Sequence, residues 1–202
     1  MLNKMEAYSA KVIKERAGLI LMLAWFLLIP QLFSWRFFFL FLMITLALLP
    51  RDIHNGRIKI MMALPFSRSN VFWCSYIFLI AFAVITQMLA GALLGVSSWT
   101  MIKDVIGTLI FSSAYFGVAM ISAIFGFGNF VIPFLVLIAD SFFGSVGSGW
   151  KFTYNFLSSP SGFNPYSMIS PIYQGNRIAA LIFALVLLIL AYVLFERKEI
   201  SK

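Results

Sequence analysis

Long unbroken apolar runs, near residues 18–33, 37–50, 71–96, 105–125, 130–146 and 177–195, constrain this chain more than any other feature. A helix needs about 20 apolar residues to cross the hydrocarbon layer, and lipid offers its backbone amides no partner, so such runs read as helices that satisfy their own hydrogen bonds. A transmembrane barrel would instead show strands of roughly ten residues with alternating polarity. With 62% of its 202 residues hydrophobic and 11% charged, the chain carries more apolar surface than one soluble core encloses. The expected fold class is therefore an all-α membrane protein, a single transmembrane domain over 1–202 with six spans. The second run is short, so its span is extended to 35–50 with Trp35 and Arg36 at the interface. The fifth contains Pro133 and runs into Gly144, Gly147 and Gly149, which makes its outer end irregular. Because more spans follow the first apolar run, that run is expected to stay in the membrane rather than be cleaved as a signal peptide.

Ahead of the first span, residues 1–17 place Leu2, Met5, Val12 and Ile13 among Lys4, Lys11, Lys14 and Arg16. A basic amphipathic segment of this kind lies at the lipid headgroups as an interfacial helix. Orientation follows from the basic residues. With the N-terminus inside, eleven of the 15 Lys and Arg fall in 1–17, 51–70 and the tail after 195, and only Arg36, Lys103, Lys151 and Arg177 lie outside. The positive-inside bias thus places both termini in the cytoplasm of a multi-pass cell-membrane protein, with 97–104 and 147–176 outside. A net charge of +8 dispersed at the ends of apolar runs fits membrane lipid as its partner rather than nucleic acid.

Several chemistries are excluded by residues the chain lacks. It holds no G-x-x-x-x-G-K-[ST] phosphate loop, so it is not expected to be an enzyme that hydrolyses ATP by itself. Its one histidine, His54, falls in an inner loop, which removes a di-haem cytochrome, an intramembrane serine protease resembling the serine–histidine type, and a metalloprotease. No catalytic residue, metal site or cofactor of its own is expected. Cys74 has no second thiol to pair with and reads as a small packing residue. Asp140, inside the fifth span, has two readings: it hydrogen-bonds the irregular outer turn, or it contributes with Trp150 to a gate or substrate path.

Two stretches between spans are long enough to act on something: the outer loop 147–176 and the inner loop 51–70. In the inner loop Asn55 is placed to cap a helix opening at Gly56, and Pro65 ends that helix at Leu64. The nine residues would be roughly 13 Å long, with Ile58, Met61 and Met62 on an apolar face beside Arg57 and Lys59. Ser67 or Ser69 then caps the third span. Such a helix is a lever for a soluble partner, or alternatively rests on the lipid surface.

Asp52, Gly56, Leu64, Pro65 and Arg68, within the stretch from Asp52 through MALPFSRSNVFWCSY, carry a resemblance to the small permeases of ABC-2-type transporters, particularly the permease subunits of the exporter of phenol-soluble modulin peptides. The resemblance implies a transmembrane subunit that pairs with itself or a paralogue and binds two cytoplasmic ABC ATPase subunits. ATP and Mg would be bound on those subunits, and hydrolysis would drive export of amphipathic peptides or other hydrophobic or antimicrobial compounds. The inner-loop helix would be the coupling helix, so that Asp52, His54, Asn55, Gly56, Arg57, Ile58, Met61, Met62, Leu64, Pro65 and Arg68 would transmit ATPase closure. A non-transporting scaffold that recruits a soluble partner through 51–70 is the alternative.

Overall fold

In the computed structural model, the described residues are 2–28, 36–56, 67–145 and 177–197, and among them all regular structure is helical. Helix α1 (Leu2–Leu28) is followed by α2 (Arg36–Leu42), a π-helical turn (Met43–Ala47) and α3 (Leu49–His54). Then come α4 (Arg68–Leu93), α5 (Ser98–Phe125), α6 (Val131–Ser145) and α7 (Arg177–Arg197). Three stretches are long and apolar enough to cross a membrane: Phe37–His54, Arg68–Leu93 and Asp104–Phe125.

The helices start and stop where local chemistry dictates. Ser67 caps α4 by accepting a hydrogen bond from the Asn70 amide at 3.3 Å. Pro133 falls in the first turn of α6, where a missing N–H leaves no bond unmade. Gly144, read from the sequence as the start of an irregular end, stays helical, because α6 runs on to Ser145. Between α5 and α6 the chain reverses through Gly126 and Gly128, both in the left-handed region at φ 83° and 86°.

One stripe of each outer helix faces inward. On α7 the buried positions are Ala184, Leu188, Ala191 and Phe195, at helical spacing, while Leu181, Ile182, Phe183, Leu185, Val186, Ile189 and Leu190 are exposed. A helix apolar on its exposed side as well as its packed side is compatible with a lipid surrounding. On α1 the inward stripe is Arg16, Ile20, Leu23 and Leu27. The backbone is non-helical at Arg16, kinking α1 next to the boundary at 17/18 set by the sequence.

Aromatic rings fill the core. Phe41 meets the edge of Tyr115 at 5.7 Å and lies near Phe130 and Phe134. Phe72 packs against Phe116, Tyr192 and Phe195. A close approach joins α5 to α7: a Cβ built on Gly117 would stand 3.0 Å from the backbone carbonyl of Leu187, so a larger residue there requires the helices to shift apart.

Candidate functional site

The second apolar run does not end at Pro50. It breaks there and restarts. Leu48 is extended (φ −115°, ψ −171°), and Pro50 occupies the first turn of α3, so the helical path carries on to His54, beyond the limit at 50 read from the sequence. Proline was tolerated because the break had already removed the bond it cannot donate.

A break inside an apolar bundle leaves backbone groups that must find partners. The carbonyl of Leu46, which an amide at position 50 would have served, instead accepts from Arg51 Nη1 at 2.8 Å. Asn129 Nδ2, from the turn before α6, donates to the carbonyl of Thr45. The Leu49 amide donates to Ser75 Oγ on α4 at 3.4 Å. Arg16 on α1 supplies the rest: its Nη1 donates to the carbonyl of Ala47 and reaches that of Leu48 at 3.5 Å, and its Nη2 bonds Asp52 Oδ1. Arg16 and Asp52 are both buried, 8% and 3% exposed, so this is an enclosed ion pair rather than a surface one. The break is thus held by side chains from α1, α3, α4 and the α5–α6 turn.

Asp52, which the resemblance links to coupling, is buried and bonded to Arg16 of α1. His54 and the turn after it are exposed at the end of α3. Asn55 closes α3 instead of opening the next helix: its amide bonds the Arg51 carbonyl at 2.9 Å, and Gly56 follows at φ 68°, outside helical space. The physical reason is that α3 needs a stop, and glycine in the left-handed region supplies it. Arg57, Ile58, Met61, Met62, Leu64 and Pro65 lie outside the described residues, as does Trp150. Asp140 lies on α6, in its second half.

No family model, curated protein or solved structure matches this chain. What the chain can do must come from its own geometry.

Across the loop from Asp52, Arg68 opens α4, and its Nη1 donates to the carbonyl of Glu196 at 3.1 Å, in the last turn of α7. Cations near a helix C-terminus satisfy its open carbonyls and its dipole. Tyr192 donates to Ser69 Oγ at 3.2 Å one turn earlier, so the same two helix ends are joined twice. The two flanks of the inner loop are in this way tied to opposite ends of the sequence: Asp52 to α1 and Arg68 to α7.

On the same end of the bundle, a Cβ built on Gly128 would lie 3.9 Å from His54 Cε1, which brings the α5–α6 turn beside α3. Sequence reasoning missed Arg16, Ser75 and Asn129. The available signal was the spacing of Arg16 with Ile20, Leu23 and Leu27, which sets an arginine at the head of a packed stripe. The arrangement joins α3 to α1 at the break, and the start of α4 to the end of α7.

Proposed function

We propose that the chain is the transmembrane permease subunit of an ATP-driven exporter, with six spans and both termini in the cytoplasm. The observation that carries the proposal is the double anchoring of the inner loop, Asp52 to Arg16 and Arg68 to the Glu196 carbonyl. A loop that only rested on lipid would need no such ties. One that receives force from a soluble partner needs both flanks fixed to the bundle, or the movement dissipates in the loop.

The resemblance to ABC-2-type permeases supplies the partner class: a cytoplasmic ATPase on which ATP and Mg act, with a second permease, identical or paralogous, completing the path. Amphipathic peptides and other hydrophobic or antimicrobial compounds are the substrate class. Further support comes from the ends that meet. Arg16 meets Asp52, Gly128 lies beside His54, and Arg68 meets Glu196, pairings compatible with an N-in, C-in arrangement of six alternating spans. Spans one, five and six are then α1 after its kink, α6 and α7.

Affinity purification of the tagged chain from its native membrane tests this. A phosphate-loop ATPase is expected to co-purify, and Met61→Asp is expected to abolish its capture, since a charge on the apolar side of the loop helix meets a desolvation penalty in any docking cleft. Recovery of the intact chain without a nucleotide-hydrolysing subunit would exclude the exporter.

A further inference from the structure

The coupling proposal uses Asp52 only as an anchor and leaves the chemistry of the break itself unused. An unwound stretch of membrane helix that gathers carbonyl oxygens and a carboxylate around one point has the donor set of a cation site. Here the Ala47 carbonyl, the Leu48 carbonyl and Asp52 Oδ1 all converge on one cationic group, the guanidinium of Arg16. That group arrives from a different helix, at the single residue where α1 is itself non-helical (φ −134°, ψ 22°). Pro50 prevents the break from closing by an ordinary helical bond to the Leu46 carbonyl.

We propose that the break in the second span is a cation-operated joint: Arg16, a cation tethered to α1, fills the site formed by Ala47, Leu48 and Asp52, and its withdrawal releases residues 48–55 to swing against the rest of the span. The partition of contacts defines where the moving part begins. The Thr45 carbonyl is served by Asn129 and stays satisfied when Arg16 leaves, whereas the Arg51 bond to the Leu46 carbonyl and the Leu49 bond to Ser75 span the joint and are the remaining ties that the swing of 48–55 breaks. The groups whose contacts with Arg16 are lost are those from Ala47 onward. The kink of α1 supplies the means of withdrawal, because rotation of the segment before Arg16 relative to the segment after it moves the guanidinium directly. Arg16 is on this account a positioning residue for α3. The proposal rests on the membrane assignment alone and requires no ATPase.

Hydrogen exchange of the full-length chain in nanodiscs provides the test, with Arg16→Ala and the isosteric Asp52→Asn compared to the parent. In both variants the amides of 48–55 are expected to exchange about tenfold or more faster relative to those of α5, the signature of a local opening. Millimolar guanidinium chloride is expected to restore protection in Arg16→Ala but not in Asp52→Asn, because the added ion replaces only a missing cation. Arg16→Lys, with charge but no fork, is expected to fall between. Should Arg16→Ala fail to fold, Asp52→Asn reads out the same window. Unchanged exchange at 48–55, an equal rise over α4 and α5, or no rescue of folded Arg16→Ala by guanidinium would each overturn the joint. With no nucleotide or ATPase in the sample, the result stands apart from that of the co-purification.

Discussion

The guanidinium of Arg16 is bonded to the carboxylate of Asp52, and both are buried, although 36 positions of sequence separate them. A buried ion pair is rarely a net source of stability, since desolvation offsets its attraction, but breaking one leaves an enclosed charge. Its value here is geometric: it fixes α1 against α3 at the break. Arg16→Met and Asp52→Leu singly are therefore expected to lose about 3–5 kcal/mol each, and the double replacement to recover most of that loss. Thermal midpoints of the three variants in detergent check this, and a double variant as unstable as the two losses summed would contradict it.

The other flank of the loop behaves differently. Arg68 donates to the Glu196 carbonyl at an exposed site, so its loss costs little stability. Arg68→Ala is expected to assemble normally with the ATPase yet to lose most substrate-stimulated hydrolysis, because the start of α4 would keep only the Ser69–Tyr192 bond and ring packing to α7 and lose its tie to the Glu196 carbonyl. Hydrolysis rates of purified complexes with and without substrate measure this. Full stimulation would show that the tie transmits nothing.

Much of the helical layout was legible in the sequence, and the reasons are local. Apolar run length locates α4, α5 and α7, the hydroxyl of Ser67 marks the start of α4, and the glycines at 126 and 128 mark the reversal before α6. The break in the second span was not legible, because proline near the end of an apolar run reads equally as a stop or as the first turn of a new helix. What decides is whether distant groups serve the released carbonyls, and Arg16, Ser75 and Asn129 lie on other elements. Asp52 was singled out by resemblance, but its burial follows from α1 packing over it, which no window around residue 52 contains.

Topology has a direct check. In a Cys74→Ser background, single cysteines at Ser98 and Ser158 are expected to react with an impermeant thiol reagent in intact cells, and one at Asn55 is not. The position of Asn55 in an exposed turn makes its silence informative, since burial does not protect it. Labelling at Asn55 would invert the orientation.

Gly117 tests the packing that holds α7 to the bundle. Its missing side chain leaves room for the Leu187 backbone, so Gly117→Val forces α5 and α7 apart and is expected to destabilise by about 1–3 kcal/mol. Gly18→Ala, where nothing lies within 4 Å of the added carbon, is expected to be neutral or stabilising. Thermal unfolding of both variants separates a steric cause from a general intolerance of glycine replacement in helices.

The mass of the native complex tests the exporter proposal most directly. Extracted from its own membrane and measured intact, the chain is expected in an assembly of two permeases with two ATPase subunits, whose hydrolysis drives substrate movement after reconstitution. A monomer that carries no ATPase and moves substrate in proteoliposomes without nucleotide would contradict it.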